Sequence, residues 1–352
     1  MSVNTSRTTY REHTDTENIL KLRQVLSTLP AFCKDYFRAI DSTTTTKTRI
    51  SYAYDIRIFF QFLLDENPAF KNYAMTDFSV AVLDQIKAVD LEEYMEYLKV
   101  YQNGDKTETN GERGLKRKIS ALRSFYAYYY KREMIHTNPT VLIDVPKIHD
   151  KSIIRLDTDE VALLLDYIEH CGDSLTGQKR VYYEKTKERD LAIVTLLLGT
   201  GIRVSECVGL DIEDVDFKNN GIKVTRKGGN EMVVYFGEEV EKALKRYLEI
   251  REGITPLAGH EHALFYSAQR KRMGVQAVEN MVKKYSRQIT TTKKITPHKL
   301  RSTYGTALYQ ETGDIYLVAD VLGHKDVNTT KKHYAALDDA RRRQAATAVR
   351  LR

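Results

Sequence analysis

The chain has 352 residues, 42% of them hydrophobic and 29% charged, with a formal net charge of +7. No apolar run reaches the roughly 18 residues of a membrane helix, no signal peptide is recognisable, and Cys33, Cys171 and Cys207 stand far apart in no metal spacing. These features exclude a membrane span and a disulfide framework, and they predict a cytoplasmic, two-domain globular protein whose positive charge fits a polyanionic partner.

Residues 1–17 are polar, with little to bury, and are predicted to be a disordered tail. Residues 18–136 are predicted to form a nearly all-helical domain. From Thr46 to Leu64, the residues Tyr52, Ile56, Phe59, Phe60, Leu63 and Leu64 recur at helical spacing, with Lys47 and Arg49 nearer the other side. After Gly111 a second long helix turns Leu115, Ile119, Leu122 and Tyr126 inward. It sets Arg113, Lys116, Arg117, Ser120 and Arg123 along another face. Either basic face alone reads better as solvated surface. Two of them in one small domain point to contact with DNA. Tyr126 and Tyr128 to Tyr130 read as core and rim.

Asn138-Pro139 and Val145-Pro146 break the pattern, so residues 137–151 are predicted to be a linker. Residues 152–352 then form a second domain, starting with a helix whose first turn is acidic from Asp157 to Glu160. The run Leu191 to Leu198 is predicted to be a buried helix. It ends at Gly199-Thr200-Gly201, where a turn presents Arg203. The stretch from Asp214 to Phe236 has the alternation and turn residues of a small antiparallel meander, with Lys227 at the rim of a Gly228-Gly229 hairpin. The fold class is therefore mainly α, with a small antiparallel sheet in the second domain.

The segment TPHKLRSTYGTALYQETGDIYLVADVLGHKDVNTTKKHY, from Thr296 to Tyr334, carries the chemistry. Thr296 suits an N-cap and Pro297 the first helical position, which places His298 and Arg301 on one face of a first turn that favours anions. The next helix stops at Gly323 and leaves His324 just beyond it. A third helix opens near Asn328 and carries Tyr334. A His-x-x-Arg pair alone is usually solvated surface. The order His-x-x-Arg, Gly-His and Tyr, each at a helix boundary, points to convergence on one phosphate.

Cleaving a phosphodiester without a metal needs charge on the non-bridging oxygens, a nucleophile, a base and an acid for the leaving alkoxide. Arg203 and Arg301 suit the oxygens, because a guanidinium binds phosphate through two N–H groups and stays charged. Tyr334 suits the nucleophile, since a phenol forms a covalent phosphodiester and leaves again. His298 is the candidate base, Lys227 the acid, and His324 a donor to the phosphate. No carboxylate cluster or Cys/His set stands beside them in the sequence, so neither metal nor cofactor is expected.

These motifs resemble the tyrosine recombinases, the phage integrase and Xer family, over about residues 40 to 345. GTGIRVSE resembles the family's first arginine motif, which implies that Arg203 is catalytic and Glu206 its supporting acid. TRKGG resembles the lysine hairpin (Lys227), HKLR the His-x-x-Arg box (His298, Arg301), LGH the box of His324, and the context of Tyr334 the nucleophile helix. VTRKGG, KERDLAI and TPHKLR look most like Xer enzymes that act alone at one site. The resemblance implies a SAM-like helical core-binding domain ahead of the catalytic domain. It also implies a 3′-phosphotyrosyl intermediate, a Holliday junction, and double-stranded DNA with paired inverted half-sites. The protein would be a homotetramer on DNA and a monomer when free.

Residues 335–352, rich in helix formers, would pass to a neighbouring subunit. Chromosome dimer resolution and integration or excision of a mobile element both fit. The sequence departs from the family's usual pattern at Ser302, Gly305, His333 and Ala336, none of which removes a catalytic group. Residues 1–40 are too short for a separate arm-type DNA-binding domain. The alternatives are a type IB topoisomerase and a DNA-binding protein without catalysis; an intact set of nucleophile, acid and base speaks against the second.

Overall fold

The computed structural model describes residues 10–149, 153–226, 229–324 and 326–334. The chain divides into two compact units, Met1–Asp150 and Lys151–Arg352. Among the described residues, no helix is long and apolar enough to cross a membrane.

The first unit contains α1 (Tyr10–Leu26), α2 (Cys33–Ala39), α3 (Thr46–Glu66), α4 (Val82–Gln85), α5 (Ala88–Tyr97) and α6 (Glu112–Lys131). Helix α1 begins inside the stretch read as a disordered tail. Its buried Leu22 and Val25 dock it on the core, which holds a segment too polar to form a stable helix alone. Thr45 caps α3, its hydroxyl accepting from Thr48 N–H at 3.3 Å. The core is aromatic: Tyr36, Phe59, Phe60, Phe125 and Tyr129 are fully buried, and Phe125 meets Tyr36, Phe60 and Tyr129 edge to face, the Tyr36–Phe125 pair at 5.2 Å.

One element departs from the all-helical expectation. β1 (Val100–Asn103) pairs antiparallel with β2 (Lys106–Thr109) across a turn in which Gly104 takes φ 62°. Gly104-Asp105 forms the two-residue loop, a short-range hairpin signal that the helical periodicity around it overshadowed. The stretch read as linker is also partly packed: Thr140 and Ile143 are buried, and a 3₁₀ turn spans Pro139–Val141.

The second unit is built around α8 (Gly177–Thr200), which follows α7 (Thr158–His170). Leu191 to Leu197 are buried on every side, as a helix surrounded by α7, α10 and α12 requires. Helix α9 (Val204–Gly209) leads into β3 (Val215–Asp216), β4 (Gly221–Thr225) and β5 (Glu231–Tyr235), an antiparallel sheet in that order. Then come α10 (Glu238–Glu252), α11 (Val275–Ile289), α12 (Pro297–Thr312), α13 (Ile315–Leu322) and α14 (Val327–Tyr334).

The KERD residues are structural. Glu188 accepts from Arg246 Nη2 at 3.0 Å, Arg189 donates to the Tyr266 carbonyl at 3.0 Å, and Asp190 accepts from Tyr285 OH at 2.9 Å. They tie α8 to α10, to the loop before α11 and to α11 itself. Burial, reinforced by the Asp190 charge, pushes the Tyr285 phenol well above its ordinary range.

Candidate active site

The C-terminus of α13 gathers the site. A helix leaves its last four carbonyls without intrahelical partners. Here Gly323, at φ 60°, closes a Schellman motif: Gly323 N–H donates to the Asp320 carbonyl at 2.8 Å and His324 N–H to Ala319 at 2.9 Å. The next three carbonyls go to three arginines from three other elements. Arg226 Nη2 donates to Val321 O at 2.7 Å, Arg301 Nη2 donates to Leu322 O, and Arg203 Nη2 donates to Gly323 O at 3.3 Å. Three like charges in one place repel one another. The negative end of the helix dipole and its unpaired carbonyls offset that repulsion.

Each arginine is positioned by its own local geometry. Arg203 is the N-cap of α9 in a capping box. Glu206 accepts the Arg203 backbone N–H at 2.8 Å through one oxygen and Arg203 Nη1 at 2.8 Å through the other. Arg301 sits on the first turns of α12, only 5% exposed, and its Nη1 also donates to the Gly201 carbonyl at the end of α8. Gly201 has φ 62°, and a Cβ there would overlap the Tyr304 ring and meet Leu322 Cδ2 at 2.9 Å. Only glycine lets the end of α8 pass this close beneath α12 and α13.

His298 is exposed on the first turn of α12, three residues before Arg301, as the Thr296-Pro297 start predicted. His324 Nδ1 lies 2.7 Å from Thr330 Oγ1, a fully buried hydroxyl on α14. This contact ties the end of α13 to α14, and positions 330 and 334 share a face of that helix. Helix α14 ends on Tyr334, whose side chain lies outside the described part of the structure. Lys227 and Gly228 also lie outside the described residues. The flanking backbone is described: Arg226 N–H donates to Asn230 O at 2.8 Å, closing the base of the β4–β5 hairpin. Lys223, the other lysine of that hairpin, is exposed and faces Glu231 at 3.7 Å.

The structure thus brings Arg203, Glu206, Arg301 and His324 to one helix end. It adds Arg226, which the sequence reading passed over. Burial holds the Arg226 guanidinium below the usual arginine range; Glu206 acts to raise it and Arg203 to lower it. The sequence signal for Arg226 was its place beside Lys227, in the same TRKGG hairpin motif.

The sequence pattern of the phage integrase family matches residues 155–341, which spans every one of these positions. The chain belongs to the phage integrase family. Full-length relatives place it with the Xer enzymes of that family. It is 33% identical over 319 residues to the tyrosine recombinase XerC of Caldanaerobacter subterraneus subsp. tengcongensis, covering 88% of this chain and 83% of the relative. It is 30% identical over 340 residues to the tyrosine recombinase XerS of Lactococcus lactis subsp. cremoris, covering 89% and 93%. The fold is shared with the Tn1549 transposon integrase in complex with circular intermediate DNA. That match has a TM-score of 0.63 at 21% identity and covers 89% of this chain and 98% of the other. The protein is a tyrosine-type site-specific DNA recombinase with the mainly helical catalytic fold of the phage integrase family.

In the first unit of this integrase-family chain, the basic residues divide by role. Lys47, Arg113, Lys116 and Arg117 are exposed. Arg117 also pairs with the buried Asp55, as does the buried Lys118 at 3.4 Å. Arg49 pairs with Asp41, and Arg123 donates to the carbonyls of Thr140 at 3.0 Å and Ile143 at 2.8 Å. Arg123 therefore pins the chain that follows α6, a task that helical periodicity does not reveal.

Proposed function

We propose that the protein cuts and rejoins DNA through a covalent phosphotyrosine, without a metal. The Tyr334 oxygen attacks the scissile phosphorus, forming the Tyr–O–P bond to the 3′ end as the P–O5′ bond breaks. His298 takes the phenol proton and Lys227 delivers a proton to the departing 5′ oxygen. Arg203 and Arg301 hold the non-bridging oxygens, with His324 as a further donor, each worth about 2–4 kcal/mol in the transition state. Attack by the 5′ hydroxyl of a partner duplex reverses the chemistry and yields a Holliday junction. The observation that carries this reading is the seating of Arg203 and Arg301 on adjacent carbonyls at the end of α13, next to His324.

Lys47, Arg113 and Lys116 are the proposed phosphate contacts of the first unit, since Arg49, Arg117 and Arg123 are engaged within it. Residues 18–136 would form the core-binding domain and residues 152–352 the catalytic one. The DNA is proposed to carry paired inverted half-sites, bound by four copies that are monomeric when free. A cytoplasmic role in chromosome dimer resolution is the reading proposed for this chain; integration or excision of a mobile element uses the same chemistry.

The test is covalent trapping on a nicked duplex that loses its 5′ fragment on cleavage. Wild type should run as a protein–DNA adduct on a denaturing gel. Tyr334→Phe should bind the duplex equally and form none. An undiminished adduct from Tyr334→Phe would remove Tyr334 as nucleophile.

A further inference from the structure

Arg226 is the one charged member of the site that no motif assigned. It follows β4 directly, and its backbone is held twice at the hairpin base: it donates to Asn230 O at 2.8 Å and accepts from Gly229 N–H at 2.9 Å. Its side chain reaches over Gly323 so closely that a Cβ on Gly323 would overlap the guanidinium. One donor is used, Nη2 on Val321 O. Nε and Nη1 are shielded from water and have no hydrogen-bond partner among the described residues.

Buried donors without acceptors are costly, and more so on a charged group beside another cation. The nearby charges do not resolve the cost, because Glu206 already gives both its oxygens to Arg203. What the guanidinium lacks is an anion with at least two acceptor oxygens in one plane, and a phosphodiester supplies that geometry.

We propose that Arg226 is a third arginine ligand of the DNA phosphate, alongside Arg203 and Arg301. This rests on the phosphotyrosine chemistry proposed above. In the DNA-free state the three guanidiniums are parked on Val321, Leu322 and Gly323 carbonyls. When the phosphate enters, Arg226 turns about its side-chain torsions and offers the donors now lacking partners to the phosphate's non-bridging oxygens. Glycine at 323 leaves the space that the parked guanidinium occupies.

The test compares wild type, Arg226→Ala and Arg226→Lys on three nicked duplexes: an ordinary phosphate, a neutral methylphosphonate at the scissile position, and a 5′-bridging sulfur. Arg226→Ala should slow adduct formation on the phosphate by about tenfold to a hundredfold, with Arg226→Lys in between. On the methylphosphonate, which carries no charge to neutralise, the loss should shrink to below about threefold. The bridging sulfur should not restore Arg226→Ala, because the defect is not in the leaving group. The inference is overturned by equal losses on phosphate and methylphosphonate, by rescue with sulfur, or by a variant that cuts as fast as wild type or faster. If wild type forms no adduct on any substrate, the phosphotyrosine reading falls. The salt dependence of duplex binding still decides Arg226: its loss should lower the slope by about one phosphate contact, and an unchanged slope refutes the contact.

Discussion

Replacing Glu206 by Gln removes one charge and keeps the shape of the side chain. Glu206 is nearly buried, 3% exposed at its side chain, against 36% for Arg203. Its two oxygens serve two donors, the Arg203 backbone N–H and Nη1, each at 2.8 Å. A glutamine accepts from one of them and turns an NH2 toward the other. The loss is one charge-assisted bond, worth about 1.5–3 kcal/mol when buried. Discounted for the exposure of Arg203, it comes to about 1–2 kcal/mol. Glu206→Ala loses both bonds, leaves the start of α9 uncapped and strands the guanidinium, for a total of about 3–4 kcal/mol. For a unit of this size the melting transition should fall by about 3–6 °C with Gln and about 9–12 °C with Ala, measured by circular dichroism on the full chain. Covalent trapping should slow about tenfold with Gln, as Arg203 loses its orientation. Equal melting losses for Gln and Ala would refute the partition between cap and ion pair. An unchanged trapping rate for Gln would show that Glu206 does not set the aim of Arg203.

Three further perturbations probe other groups. Arg203→Ala should slow cleavage about a hundredfold, from about 3 kcal/mol of lost transition-state stabilisation, and wild-type cleavage should persist in EDTA; strict dependence on magnesium contradicts this. Lys227→Ala should be slow on the ordinary phosphate yet close to wild type on a 5′-bridging sulfur, since a thiolate leaves without an acid, and equal slowness on both would confine Lys227 to binding. Deleting Asp338–Arg352, which lies outside the described residues, should leave single-site binding intact in a mobility-shift assay while synapsis and strand exchange fail. A truncated protein that recombines two sites as well as the full chain would make the segment a surface feature only.

The sequence by itself determined the helix boundaries that matter here, because capping is local chemistry. Thr296-Pro297 starts α12 and Gly323 stops α13 where the backbone must turn left-handed, and these two signals set His298, Arg301 and His324 in place. Amphipathic spacing gave α3 and α6, and alternation gave the small sheet around β4 and β5. Local signals lost to stronger neighbours at the Gly104-Asp105 hairpin, and they lacked force at α1, which stands by packing Leu22 and Val25 rather than by propensity. Only the tertiary structure decided which cations serve the phosphate and which serve the fold. Arg123 and Arg203 look alike in sequence, yet one is spent on the carbonyls of Thr140 and Ile143 and the other on the end of α13. The physical reason is that a guanidinium's role is set by the acceptors it meets. The three carbonyls of Val321, Leu322 and Gly323 meet Arg226, Arg301 and Arg203 across separations of 95, 21 and 120 residues. No pattern of neighbours along the chain encodes contacts of that range.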